Sequence, residues 1–273
     1  MVDQQKVIVI TGATSGLGKS IALEAAQRKY RVALFGRQQS KLNSLEKKIL
    51  SMGAEAVTSR IDVTNPGAVR RGFDKVSKKW ESVDILFNCA GVVTPIAPIT
   101  QCSNEALFNS LMTNVYGVYI CTREALRRMN NQTNGGAIVN ITSGAADHPY
   151  SGLSAYGSQK AAVNTFTRAV AMEYQNSPVR IFAISPGPFQ SKMQAKIRNT
   201  GHDLFPAKQK FVDLFEQGKL PHPEKIAQLL LDISITHWPE LSGRIEDIRS
   251  RKFQEECKSK NIKIPSQIIA QKK

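Results

Sequence analysis

The sequence predicts a single α/β domain of three layers, a parallel sheet doubly wound by helices. Three observations predict it. Short apolar runs alternate with amphipathic stretches of helix length from Lys6 to Ile235, the pattern of repeated βαβ units. The first apolar run passes directly into a glycine-rich turn and then into helical periodicity. Polar and small residues suited to ligand contact recur where the strands end, and sheets of this kind bind ligands beyond the carboxyl ends of their strands.

At 273 residues, 41% hydrophobic and 22% charged, the chain can bury one sizeable core. The formal charge of +15 is compatible with an acidic ligand, a nucleic acid or an anionic surface, and equally with a solvated basic exterior. Cys89, Cys102, Cys121 and Cys257 are far apart and form no Cys/His cluster, so no metal site is expected. Cys89 and Cys121 lie in apolar runs and read as buried free thiols in a reduced, cytoplasmic setting. No signal-like segment and no apolar run of bilayer length is present, so no transmembrane segment is expected.

Lys6–Ile10 reads as a fully buried strand. Thr11-Gly-Ala-Thr-Ser-Gly-Leu-Gly18 follows, then an amphipathic helix from Lys19 to Lys29. In this context Gly12 permits the tight turn and Gly16 lets the backbone approach a pyrophosphate. Gly18 lets the helix pack closely on the strand. Free amides at the helix N-terminus suit phosphate. Gly12, Thr14, Ser15, Gly16, Leu17 and Gly18 are the expected contacts.

Arg31–Phe35 is the second strand, closed by Gly36-Arg37. NAD sites place a carboxylate here for the ribose 2′-hydroxyl. This chain has none. A guanidinium can instead pair the 2′-phosphate of NADP, so NADP (NADPH) is the expected cofactor. The bland reading leaves Arg37 solvated at the start of the next helix, Ser40–Met52. A third strand, Val57–Ile61, ends in Asp62-Val63. Asp62 can accept a bond from the adenine amino group or cap the helix over residues 67–80, where Asn65-Pro66 is a second start signal. Val83–Asn88 is the fourth strand. Asn88-Cys-Ala-Gly91 ends it with small residues, as a backbone lying against a cofactor requires, and Asn88, Ala90 and Gly91 are expected contacts. One long helix is predicted from about Ser103 to Met129. Asn114 within it either braces the sheet or joins a proton relay.

The fifth strand, Ala137–Thr142, leads to Ser143. The helix from about Ser154 to Glu173 carries Tyr156 and Lys160, one turn apart on one face. A tyrosine hydroxyl of pKa about 10 is a poor acid at neutral pH. A neighbouring ammonium favours the phenolate and is expected to lower that pKa, which suits proton exchange with a substrate oxygen. Ser143 can hydrogen-bond a carbonyl held beside the tyrosine. The sixth strand, Val179–Ile184, ends in Ser185-Pro-Gly-Pro188, followed by Ser191.

Together, TGATSGLG, Asp62, Asn88-x-Ala-Gly91, Asn114, Ser143, Tyr156-x-x-x-Lys160 and Pro186-Gly187 resemble the short-chain dehydrogenases/reductases over roughly residues 5–190. The resemblance implies a Rossmann-like fold and NAD(P)-linked chemistry at an alcohol or carbonyl carbon. Tyr156 would be the general acid and base. Lys160 would lower its pKa and hold the nicotinamide ribose, Ser143 would orient the carbonyl, and Asn114 would support a water relay. Pro186, Gly187 and Ser191 would contact the nicotinamide end. The chain departs at Cys89, where the family usually has asparagine, at Ser191 in place of threonine, and in the weak Leu241-Ser-Gly-Arg-Ile245, which puts the last strand in question.

Residues 189–222 are expected to form a substrate lid before a last helix, Pro223–Ile235. Its apolar residues either meet an apolar or aromatic substrate or pack the lid onto the body, and its lysines can be solvated. Met193-Gln-x-x-Ile-Arg198, Gly218-Lys-Leu220 and Pro223-Glu224 are further similar to reductases of the sepiapterin and benzil type, which act on vicinal dicarbonyls. His148 and Tyr150 either touch substrate or shape their loop. The domain is drawn as residues 1–243, followed by a basic extension over 244–273 with nine Lys/Arg and four Asp/Glu. That extension reads as a surface helix and loose end, or as an electrostatic tail. It lacks the interleaved aromatics of a single-strand binder, so no specific nucleic acid is expected.

The expected activity is reduction of a small carbonyl compound by NADPH, with Tyr156 as proton donor. The competitors are a 3-oxoacyl-thioester reductase and a non-catalytic NADP(H)-binding sensor. By resemblance, the long helices imply a homodimer or homotetramer.

Overall fold

The computed structural model describes residues 5–268. Its centre is β1 (Val7–Thr11), five residues buried throughout, as the run of β-branched side chains requires for a strand covered on both faces. β2 (Arg31–Gly36) and β3 (Ala56–Arg60) lie to one side, and β4 (Ile85–Asn88), β5 (Gly136–Ile141), β6 (Val179–Ser185) and β7 (Ile245–Asp247) to the other. The order is β3-β2-β1-β4-β5-β6-β7 and every pairing is parallel. The connection reverses direction between β1 and β4, which opens a crevice at their carboxyl ends. This is the Rossmann-like, doubly wound fold expected from the sequence.

One layer holds α1 (Gly16–Gln27), α2 (Gln39–Ser51) and α9 (Pro223–Ile235). Leu17, Ile21 and Ala25 of α1 enter a core that also contains Ile226, Leu230 and Ile233 of α9. The other layer holds α3 (Pro66–Trp80), α5 (Gly117–Met129) and α6 (Ser154–Glu173), whose Phe73, Ile120 and Val170 share a second core with Val9 and Leu86 of the sheet. Asn65 caps α3 by accepting from Ala68 N–H at 2.9 Å, with Pro66 at the first turn.

The single helix predicted over 103–129 is interrupted. α4 (Asn104–Leu111) passes into a π turn at Met112–Tyr116 before α5. Asn114 sits in that turn. Insertions of this kind concentrate at functional sites, and here the wider turn lets the Asn114 carboxamide reach the β4 loop.

The basic segment after residue 243 is not a separate extension. β7 completes the sheet on β6. Phe253 and Cys257 of α10 (Arg251–Ser259), with Ile248, Ile262 and Ile268, are buried in the main core, and Phe253 stacks on Trp238 at 5.7 Å. The charges lie outside: Arg251 and Lys252 are exposed. The expectation of a loose end at 269–273 lies outside the described residues. None of the described helices is long and apolar enough to cross a membrane. No group of three or more His, Cys, Asp or Glu able to hold a metal occurs among the described residues.

Candidate active site

The carboxyl ends of the strands border one cleft of about 2300 Å³. Its floor begins at β1. Thr11 Oγ1 accepts from Cys89 N–H at 3.0 Å and from Ala90 N–H at 3.1 Å, which fastens the loop after β4 against β1. Gly12 and Gly16 adopt left-handed backbone, φ 65° and 51°. A Cβ on Gly18 would stand 2.7 Å from the Gly12 carbonyl oxygen, so only glycine lets α1 close onto the turn. At Gly16 nothing lies within 4 Å of where a Cβ would be. The first turn of α1 has no capping side chain, in contrast to α3 and α4. Bare amides, a helix dipole and a missing side chain suit a pyrophosphate.

At the end of β2 the cleft is lined by Arg37, Gln38 and Lys41, with no carboxylate on that loop. Arg37 is exposed, and it stands just before α2. Asp62 and Val63 line the same end of the cleft from β3. Asp62 Oδ1 accepts from Thr64 N–H at 3.0 Å and from its hydroxyl at 2.8 Å. It shapes the turn while Asn65 caps the helix, so the capping role falls to the second start signal.

Two expected site residues, Asn88 and Asn114, are not among those that line the cleft. Asn88 is buried and donates to Thr122 Oγ1 at 3.1 Å and Asn140 Oδ1 at 2.8 Å. Asn140 in turn donates to Thr167 at 2.9 Å, so this row ties β4, β5 and α6 together beneath the site. Asn114 is fully buried. Its Oδ1 accepts from Val92 N–H at 2.8 Å, and its amide donates to the Val92 carbonyl at 2.8 Å and to Gln159 Oε1 at 2.7 Å. With both amide hydrogens paired, the carboxamide braces the β4 loop against α6, as the first of its two expected roles requires. A buried polar group at the end of an apolar strand pairs internally whenever partners exist, and the sequence did not reveal those partners.

The chemical centre is built by α6. Ser143 caps a short turn at Gly144–Ala146, its Oγ accepting from Ala145 N–H at 3.2 Å. A Cβ on Gly157 would stand 2.7 Å from the Ala145 carbonyl, so a glycine there lets α6 carry Tyr156 up against Ser143. Tyr156 is half-buried and its hydroxyl is hydrogen-bonded with Ser143. Lys160 is buried, its Nζ 5.8 Å from the Tyr156 ring centroid and donating to the Ile141 carbonyl at 2.7 Å. Pro186, Gly187 and Ser191 line the cleft opposite, and Ser191 caps α7 (Lys192–Asn199) through a 3.1 Å bond from Gln194 N–H.

The electrostatics correct one expectation. Burial raises the Tyr156 pKa, and the hydrogen bond with Ser143 opposes this only partly. Burial lowers Lys160 itself to about 8. Tyr156 therefore stands as a protonated donor beside a lysine that titrates near physiological pH. Cys89 lines the cleft half-buried, not buried as expected, and desolvation pushes its thiol up to about 12, so it is no nucleophile.

The segment 189–222, expected as a lid, holds α7 and α8 (Lys208–Glu216). Ile197, Phe205 and Phe211 are buried against Val93, Ile96 and Leu153, so these apolar residues pack the segment onto the body. Met193, Leu214, His148 and Tyr150 line the cleft. Lys210 donates to the Tyr150 hydroxyl at 3.2 Å. Sequence reasoning missed Thr11 and Gln159 as braces, and it missed Lys41 and Arg249 as lining residues. Only Lys41 carried a signal, its position one turn beyond Arg37.

A glycine turn under an uncapped helix, with a hydroxyl acid and a lysine across the same cleft, defines a nucleotide-dependent oxidoreductase of the doubly wound class. A family model described as "short chain dehydrogenase" matches residues 6–201, and the chain belongs to that family. It is 32% identical over 251 residues to "Benzil reductase ((S)-benzoin forming)" of Bacillus subtilis (strain 168), a match covering 89% of this chain and 98% of the relative. Among solved structures it resembles the KRED1-Pglu enzyme, with TM-score 0.81 and 29% identity over 89% of this chain and 100% of that one. It also resembles NAD+-bound xylitol dehydrogenase, with TM-score 0.81 and 26% identity over 90% of this chain and 98% of that one.

Proposed function

We propose that the protein is an NADPH-dependent carbonyl reductase acting on a small apolar or aromatic ketone or vicinal dicarbonyl. The observation that carries the reading is the convergence of Ser143, Tyr156 and Lys160 in the cleft that the glycine turn opens. The similarity to benzil reductase along nearly the whole chain supports the dicarbonyl class. Bound NADPH would supply a hydride for the carbonyl carbon. Gly16, Ser15 and the bare amides of α1 would hold the pyrophosphate. Arg37, with Lys41 beside it, would pair the 2′-phosphate. Ala90, Gly91, Pro186, Gly187 and Ser191 would enclose the nicotinamide end. The Tyr156 hydroxyl would donate its proton to the carbonyl oxygen as the hydride reaches carbon, with Ser143 holding that oxygen by a hydrogen bond. Lys160 would stabilise the resulting phenolate and hold the nicotinamide ribose. Leu214 and Tyr150 offer apolar and aromatic surface for the rest of the substrate.

A homo-oligomer belongs to this reading. Phe108 and Leu111 of α4, Tyr119 of α5 and Met172 of α6 are exposed, Phe108 by 61% and Met172 by 72%. Tyr119 stacks on Phe166 at 4.1 Å, so α5 and α6 share one outer surface. Unpaired cysteines accord with a reduced, cytoplasmic setting. The 3-oxoacyl-thioester reading is favoured by one observation, the lysines at 192, 196 and 219 that line the cleft and would suit a phosphate-bearing carrier.

The test is steady-state oxidation of NADPH and NADH with benzil, simple aryl ketones and 3-oxoacyl thioesters. Benzil consumed fastest, and with NADPH, supports the reading. Thioester turnover far above every ketone would replace it with the second.

The pH dependence follows from Lys160. Its charge is present below about 8 and lost above it. Tyr156, raised by burial, remains a protonated donor over the same range. The value of kcat/KM for NADPH, which reports the free enzyme, should therefore fall on the alkaline side with a midpoint near 8. A flat profile through that range would contradict a role for the ammonium.

A further inference from the structure

The wall of the cleft between Ser143 and Gly187 is a guanidinium that the reductase chemistry does not use. Arg249 follows β7 and lines the cleft. It lies where two glycines leave room. A Cβ on Gly187 would stand 2.5 Å from its Nε and 2.9 Å from its Cζ, and a Cβ on Gly144, next to Ser143, would stand 3.7 Å from its Nη2. Asp247 fixes it side-on: Nε donates to Oδ1 at 2.9 Å and Nη2 to Oδ2 at 2.6 Å. Asp247 is held in turn by the Ser185 hydroxyl at 3.2 Å and by Arg249 N–H at 2.8 Å.

Side-on pairing uses one edge of the guanidinium. Nη1 has no partner among the described residues, and the end-on edge it forms with Nη2 is the fork that accepts a second carboxylate. Of the other carboxylates on this side of the cleft, Glu246 is paired with Arg244 at 2.7 Å and Glu255 with Arg251 at 3.0 Å, and Asp147 is exposed at the rim. The lysines at 192, 196 and 219 also line the cleft, so its mouth attracts anions. Arg249 is 22% exposed in its side chain, a partly desolvated position where a charge-assisted bond is stronger than at an open surface.

We infer that the substrate of this reductase is an oxo acid: a carbonyl compound whose carboxylate docks on the free edge of Arg249 while its carbonyl oxygen meets Ser143 and Tyr156. The inference rests on the reductase reading above. It narrows the substrate to compounds in which the carboxylate stands next to or near the reducible carbonyl. With aromatic and apolar surface opposite, an aryl 2-oxo acid combines both requirements.

The test compares benzoylformate, its methyl ester and benzil, each with saturating NADPH, for the parent protein and for Arg249→Leu and Arg249→Lys, with thermal melts confirming the fold. The parent should prefer the acid to its ester in kcat/KM. Arg249→Leu should lower that acid-to-ester ratio about 10- to 100-fold, mainly through KM for the acid, and Arg249→Lys should restore part of it. A parent that prefers the ester, or an Arg249→Leu protein with an unchanged ratio, would overturn the inference. So would an equal loss with all three substrates accompanied by a raised KM for NADPH, which would assign Arg249 to the cofactor. Turnover of ester and benzil without the acid removes this inference alone. No turnover of any of the three removes the reductase reading and the inference with it.

Discussion

Replacing Tyr156 by phenylalanine is expected to lower kcat for carbonyl reduction by about 10²- to 10⁴-fold, the range supplied by a positioned general acid. The substitution removes one oxygen and keeps the ring beside Lys160. The fold should survive, because the hydroxyl's partner is Ser143, which retains its bond from Ala145 N–H. Fluorescence titration with NADPH separates lost chemistry from lost binding. Turnover within a few-fold of the parent would remove Tyr156 as the proton donor.

The second large effect concerns cofactor choice. Arg37→Asp is expected to swing the NADPH-to-NADH ratio of kcat/KM by about 100-fold or more, since a charge-assisted phosphate contact is lost and a repulsive carboxylate takes its place. The new carboxylate would also stand where NAD sites hold the ribose 2′-hydroxyl. Arg37 is exposed before α2, so the fold should tolerate the change. Stopped-flow binding of each dinucleotide reads the swing directly. An unchanged ratio would mean that Arg37 is a solvated residue and that Lys41 or another group sets the preference.

Much of the architecture was legible because β1, β2 and β4 are buried on both faces, so their apolar runs announce themselves. The glycine turn was legible because each glycine answers a local demand, a positive φ or a contact too close for a side chain. The pairing of Tyr156 with Lys160 followed from helical spacing alone. What spacing could not give was the environment. Lys160 shares a face with Tyr156, yet its ammonium bonds the Ile141 carbonyl. Burial raises the Tyr156 pKa, the opposite direction from the expectation.

The other misreadings share a physical cause. Asn88 and Asn114 mark strand and helix positions near the site, but their partners Thr122, Asn140, Val92 and Gln159 are remote or unremarkable in sequence. Asn88 therefore read as a cofactor contact, and Asn114 as either a brace or part of a relay, where both side chains serve as braces. The tail after residue 243 misled through its charge. Phe253 and Cys257, four apart on α10, are the inward stripe of a helix whose exposed face carries the lysines and arginines. Net charge hid that period, and with it the placement of Asp247 and Arg249 beside the site.

The most direct measurement follows the hydrogen itself. Benzil would be reduced with NADPH deuterated at both C4 positions, and the product carbinol carbon examined by mass spectrometry and NMR. The account predicts one deuterium on that carbon, appearing about 10²- to 10⁴-fold more slowly when Tyr156 is replaced by phenylalanine. A reduced product without deuterium at the carbinol carbon, or NADPH bound with no carbonyl reduced, would contradict it.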